Sequence, residues 1–295
     1  MGILDKIEKG KQRVNLLLCI AGPGGVGKSS FAADAPSVLF LPTEDGSFNL
    51  DVARLPRPKT FSEAISMIDE LIKTDHAYKT LAVDSIDWLE SLCHQEVCGE
   101  KGVKGISEIP YGAGFAAAAT KFQDFIQKIK TLRSKMNIIL ICHTQIKQFN
   151  DPVIGASFDR YTLKLHDKVT ALVKEAVDVL LFANFETLVK RDGLKSKAFG
   201  DGKRVMFTQY RPAHDGKSRY ALPYEMALSW KEFAEAIDRD EPASVDLIKE
   251  EIAAMLLMVK DEPLKLLVQK SVVDAGKDAT QLSKIQNRLR IKLEA

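Results

Sequence analysis

The chain has 295 residues, 45% of them hydrophobic and 28% charged, which excludes a polar tail or a fibre and suits one α/β core with an appendage. Its net charge of only +2 means that any nucleic-acid surface must come from local clustering rather than from the field of the whole molecule. No apolar run has the length of a membrane span, and charges occupy the part of MGILDKIEKGKQR where a signal peptide needs its apolar centre, so a cytoplasmic protein without membrane contact is expected. Lys6 stands where a myristoylation signal wants Ser or Thr. The four cysteines, Cys19, Cys93, Cys98 and Cys142, have no second pair at metal-ligand spacing and read as reduced core residues.

In chain order, VNLLLCIAG (Val14 to Gly22) reads as a buried strand and SSFAADA (Ser29 to Ala35) opens a helix. Between them, GPGGVGKSS fits G-x-x-x-x-G-K-[ST], whose backbone N–H groups wrap a phosphate chain while the lysine reaches its outer oxygens. Gly22, Pro23, Gly24, Gly25, Val26, Gly27, Lys28, Ser29 and Ser30 are therefore expected to hold a nucleotide, at a strand-to-helix turn suited to anions. VLFLPTEDG (Val38 to Gly46) is a strand ending at Glu44, and TFSEAISMIDELIKT is a helix with Thr60 and Glu63 at capping-box spacing. TLAVDSIDWLESL (Thr80 to Leu92) is a strand that delivers Asp84 to its end and then enters a helix.

A Gly/Lys-rich loop (Gly99 to Phe115) with Lys101, Lys104 and Tyr111 leads to a long helix, and NIILICHTQ (Asn137 to Gln145) and DVLLFANFE (Asp178 to Glu186) are two more buried strands. Strands alternating with helices predict a mainly parallel sheet covered on both faces, with ligands at the strand carboxyl ends, where Glu44, Asp84, His143 and Gln145 fall. KRVMFTQY and SRYALP predict a β-hairpin at the sheet edge. From about Ser244 the pattern is helical, with Leu282, Ile285, Leu289 and Leu293 at helical spacing. The division expected is a core over 1–238 and a helical appendage over 239–295, joined by DRDEPAS.

The carboxylates narrow the class. Ring ATPases of the AAA+ type usually carry Asp-Glu at the end of the metal-binding strand, whereas Asp84 is followed by Ser85; partition-type ATPases would carry a lysine at Pro23. Glu44 ends the strand after the phosphate-loop helix, which is where RecA-like proteins place their catalytic glutamate. On sequence alone Glu44 also fits turn chemistry, and Asp84 also fits a helix N-cap.

GPGGVGKSSFAADAPSVLFLPTEDG, LAVDSIDWLE, IPYGAGF, ICHTQIKQFNDP, FDRYTLKLHDK and HDGKSRYALP together resemble a family of phage-encoded, RecA-like nucleotide-binding proteins, related to the RecA-core single-strand annealing proteins of phage recombination. The resemblance spans about Lys11 to Asp238. It implies a RecA-type core, ATP with Mg²⁺, a homo-oligomer in ring or filament form, and work on single-stranded DNA beside a phage single-strand-binding protein, in the host cytoplasm. By position it implies that Lys28 holds the outer phosphates, that Ser29 and Asp84 serve the metal, and that Glu44 polarises the attacking water. His143 or Gln145 would sense the γ-phosphate, and Lys217 or Arg219 would reach a neighbouring subunit's nucleotide.

The segment after the sensor strand interleaves Lys147, Arg160, Lys164 and Lys168 with Phe149, Phe158 and Tyr161, the mixture of cations and rings that single-strand binding requires. Of these, Lys147, Phe149, Arg160, Tyr161, Lys164 and Lys168 are the expected DNA contacts. A helicase-like motor or loader and an ATP-gated adaptor for a partner protein are the alternative functions.

Overall fold

A computed structural model of the protein describes residues 14–152, 155–192, 195–200, 202–238, 245–259, 261–276 and 279–294. The chain divides into two compact units: one runs to Arg219 and adds Tyr224–Glu232, and the other comprises Tyr220–Pro223 and Phe233–Ala295. The predicted linker DRDEPAS lies, past Asp238, outside the described residues.

The first unit is built on a mixed, mostly parallel sheet. Strands β1 (Leu17–Gly22), β2 (Val38–Pro42), β3 (Ala53–Arg54), β4 (Thr80–Asp84), β5 (Asn137–Asp151) and β7 (Val179–Phe185) run parallel, in the order β7-β1-β5-β4-β2-β3. β1, β2 and β4 are buried along their whole length, which is why they read as continuous apolar runs rather than alternating ones. Leu17, Cys19 and Ala21 of β1 join one core with residues of helices α2 (Phe61–Lys73), α3 (Ile86–Lys101), α4 (Ala113–Leu132) and α5 (Asp167–Ala176). Leu18 and Ile20 alternate to the opposite face, equally buried. On that side lies α1 (Lys28–Ala33), whose Phe31 meets Trp230 edge to face at 5.4 Å. All four cysteines are free and buried.

At the Thr60 end of α2 the hydroxyl accepts from Glu63 N at 3.1 Å, and Glu63 Oε2 reaches back to Lys59 N at 2.7 Å, one residue earlier than a standard capping box. The predicted edge hairpin is corrected by the structure. β10 (Arg204–Phe207) pairs antiparallel with both β7 and β12 (Glu225–Ala227), while the SRYALP region contributes only β11 (Lys217–Ser218), laid beside the first half of β7. β10 and β11 are thus neighbours along one edge rather than partners.

Strand β5 outgrows its prediction. Its first half lies in the sheet, and its second half pairs antiparallel with β6 (Ala156–Leu163) from Thr144↔Leu163 to Asp151↔Ala156, so the expected DNA loop is a β-hairpin arm. β8 (Leu188–Asp192) and β9 (Lys195–Phe199) form a separate two-stranded sheet. Helix α6 (Trp230–Asp238) follows β12.

In the second unit, helices α7 (Val245–Met258), α8 (Glu262–Ala275) and α9 (Ala279–Glu294) bury Ile248, Ile252, Leu256, Leu282 and Leu289 together. Asp261 caps α8 by accepting from Leu264 N at 3.1 Å. Among the described residues no helix is long and apolar enough to cross a membrane.

Candidate functional site

The phosphate loop leaves β1 at Gly22, where only glycine fits: a Cβ would lie 2.3 Å from the Ala183 carbonyl oxygen of β7. Farther round, Gly27 has φ +105°, a conformation that side chains other than hydrogen strain to adopt, and it turns the chain into α1. Lys28 is buried at 5% exposure, and its Nζ donates to Gly22 O at 3.0 Å and Pro23 O at 2.9 Å. Burial pulls this ammonium below its ordinary range, against the pull of Asp84, Asp87 and Glu44. A lysine held desolvated beside three carboxylates is poised for a polyanion that binds above it.

Asp84 ends β4 at 2% exposure and accepts from Ser29 Oγ at 2.7 Å. Burial raises its pKa, the Ser29 hydrogen bond opposes that, and the charge of Glu44 adds to it. The N-cap of α3 is Ser85, so the Asp84 carboxylate serves the loop and not the helix. Thr43 keeps Glu44 near this point: its Oγ1 donates to Ser85 O at 2.7 Å and accepts from Ser85 N at 2.8 Å, locking the ends of β2 and β4 together. Beyond Glu44, Arg54 donates to the carbonyls of Ser47 and Leu50 and fixes the turn that carries Asn49 and Leu50 into the cleft.

His143 stands at the end of the in-sheet part of β5, in register with Gly22. Its main-chain N–H donates to Asp87 Oδ1 at 3.1 Å, and its Nδ1 lies 3.0 Å from Asp87 Oδ2. Burial alone would raise Asp87, but the bonds from His143 hold its carboxyl below the ordinary range. Asp87 was not singled out by the sequence reading, since an acid in the first turn of a helix looks like ordinary capping chemistry. Gln145 points elsewhere: Nε2 donates to Leu163 O at 3.0 Å and Leu165 O at 3.4 Å, at the foot of the arm.

Lys28, Ser29, Ser30, Glu44, Asp84 and His143 line one cleft of about 390 Å³ with Gly25 and Gly27, a size suited to a small ligand. Arg204, also unflagged in the sequence, completes its wall. Among the described residues no group of three or more His, Cys, Asp or Glu side chains is set to hold a metal alone. The Ser29 hydroxyl and Asp84 carboxylate, with Glu44 close by, are the hard oxygen donors that suit Mg²⁺ shared with phosphates rather than caged by protein. If bound, that ion would neutralise phosphate charge; Ser29 and Asp84 would hold it.

Other predicted residues lie outside the cleft. Arg160 is 6% exposed, bonded to Asp215 Oδ1 at 2.6 Å and stacked on Tyr210 at 4.3 Å, so its guanidinium is committed inside the fold rather than offered to phosphates. Tyr161 packs on Phe182, with centroids 5.1 Å apart, and Phe149 faces Phe158 across the arm at 5.6 Å. Lys147 pairs with Asp167 at 2.7 Å; Lys164 and Lys168 are exposed. Lys217 Nζ donates to Lys174 O and Val177 O, both at 2.8 Å, and Arg219 pairs with Asp178 at 3.2 Å. Both lie beside the beginning of β7, away from the strand carboxyl ends, and are engaged within their own chain. Tyr111 is fully exposed with φ 58° on the loop before α4.

A glycine loop between β1 and α1 and an acid on β4 bonded to the first turn of α1, with β5 between the two strands, mark the P-loop NTPase class. The model of the AAA_24 family, described as an AAA domain, matches residues 15–220, well over half of the chain, and the chain belongs to that family. It is thus by family a P-loop ATPase. No curated protein matches it. Ser85 still stands where ring ATPases of the AAA+ type carry a glutamate, and the carboxylates that line the cleft are Asp84, from β4, and Glu44, just past β2.

Proposed function

We propose that the protein hydrolyses Mg-ATP in this cleft, with Glu44 orienting and deprotonating the attacking water, Lys28 neutralising the outer phosphates and His143 facing the γ-phosphate. The observation that carries the reading is the convergence of Lys28, Ser29, Asp84, Glu44 and His143 on one cleft at the carboxyl ends of β1, β2, β4 and β5. We further propose that hydrolysis serves work on single-stranded DNA in phage recombination, annealing or replication, carried out by a homo-oligomer. Supporting this part are the resemblance, the arm that grows from the same strand as His143, and the exposed cations Lys164 and Lys168 at and beyond the arm's foot.

One observation favours a second reading, an ATP-gated adaptor for a partner protein. Arg160 and Lys147 are already spent on Asp215 and Asp167, which leaves the arm less basic than its sequence suggests. ATP turnover with and without single-stranded DNA separates the two. DNA-stimulated turnover that falls at least ~100-fold in Glu44→Gln, with ATP binding kept, is expected. A wild-type rate in Glu44→Gln would place the base elsewhere, and turnover indifferent to DNA would favour the adaptor.

A further inference from the structure

Arg204 opens β10, whose register with β7 runs Arg204↔Phe185 to Phe207↔Phe182. Phe182 is level with Ala21 of β1, so Arg204 stands about two residues beyond the end of β1 at Gly22, at the height of the phosphate loop. The side chain turns onto that loop. A Cβ placed on Gly27 would sit 2.9 Å from Arg204 Nη1 and 3.7 Å from its Cδ, with Leu228 of the β12 end at 3.5 Å. Glycine at position 27 therefore does more than permit a positive φ: it leaves the space that the guanidinium occupies.

The charge balance around this group is unusual. Its neighbour Lys203 pairs with Glu186 at 2.7 Å, yet among the described residues no carboxylate pairs with the Arg204 guanidinium, which instead lies against the loop at Gly27. Lys28 has carboxylates beside it, whereas Arg204 has none paired to it, so its charge is open to an anion that enters the cleft. A planar guanidinium offers paired donors matched to phosphate oxygens.

Its position along the cleft says which phosphate. His143, Asp84 and Glu44 approach from the ends of β5, β4 and β2, on one side of β1, and with Ser29 of α1, bonded to Asp84, mark the outer end of the phosphate chain. Arg204 approaches from the other side, across β7. We propose that Arg204 binds the inner phosphates of the nucleotide, the part common to ADP and ATP, and sets affinity for both alike. This rests on the nucleotide reading of the cleft.

The test is direct binding of ADP and of ATP to the full chain, by calorimetry, for wild type, Arg204→Ala, Arg204→Met and Arg204→Lys. Arg204→Met keeps the stem against Gly27 and Leu228, so it guards against a loss caused by poor folding. Expected is a weakening of about 10- to 100-fold in Kd for both nucleotides, equal within about threefold, in Arg204→Ala and Arg204→Met, with Arg204→Lys between them and wild type. Unchanged affinities in Arg204→Met overturn the proposal. A loss confined to ATP also overturns it, because it would move Arg204 to the outer phosphate. Wild type that binds neither nucleotide would overturn the reading of the cleft itself and this proposal with it.

Discussion

Glu90 offers a prediction whose size follows from its surroundings. It lies on α3 at 6% exposure, and both carboxylate oxygens accept the His166 main-chain N–H at 3.1 Å, where the arm ends and α5 begins. Burial pushes its pKa from 4.5 to about 7, opposed by the His166 bond and aided by Asp87. Between those values the folded protein holds a proton that the unfolded chain has lost. Stability therefore declines as pH rises from 4.5 through about 7, and levels off above. At 1.36 kcal/mol per pH unit, the ionised group costs the fold about 3 kcal/mol at pH 8.

Glu90→Gln keeps an oxygen for the His166 N–H and removes the charge, so it should lack this decline. For a unit of this size the gain corresponds to roughly 5–10 °C in Tm at pH 8, shrinking to near zero at pH 4.5. The two tryptophans, Trp88 and Trp230, both belong to the first unit, so their fluorescence follows its thermal unfolding. A Tm difference of the same size at pH 5 and pH 8, or a variant less stable than wild type at pH 8, would refute the reasoning.

Two further outcomes concern the cleft. Lys28→Ala should weaken ATP binding by at least ~100-fold, because backbone N–H groups alone hold phosphate charge less well; calorimetry showing wild-type affinity would remove the phosphate-loop reading. In Asp87→Asn, the amide oxygen can still accept the His143 main-chain N–H but the carboxylate that fixes the ring is lost, so kcat should fall about 10- to 100-fold with KM for ATP within about twofold. Steady-state kinetics with kcat unchanged would show that the ring needs no such support.

Much of the sheet was legible because its strands are buried on both faces and bounded by helix signals: LLCIAG, VLFLP, TLAVD and VLLFANF all lie within the predicted runs. Helix α6 was missed although Ser229 and Glu232 stand at capping spacing, with Ser229 Oγ accepting from Glu232 N at 3.4 Å. In the cleft, Lys28 and Ser29 were readable from the spacing of the glycine loop that opens α1, and Asp84 and Glu44 from their places at strand ends. Arg204 was not. Its nearness to Gly27 depends on β10 folding back beside β7, a pairing between segments far apart in the chain that no periodicity encodes.

The arm shows why composition misleads where a hairpin leaves its sheet. Two strands alone are marginal in water, and cross-strand aromatic pairs, cation–π contacts and ion pairs are what stabilise them. Those are also the groups that bind single-stranded nucleic acid. Phe149 and Phe158 pair with each other, Arg160 lies 5.4 Å over the Phe149 ring, and its guanidinium ends on Asp215, a residue from a distant part of the chain. Asp215 in turn bridges to Lys174 of α5, so the same ion pair that fixes the arm also ties it to the core. What separates structure from recognition is thus burial and pairing, which depend on residues outside the segment. Of the expected contacts, Phe149, at 37% exposure, keeps part of its ring open to solvent on the arm, and Lys164 and Lys168 are exposed at and beyond its foot.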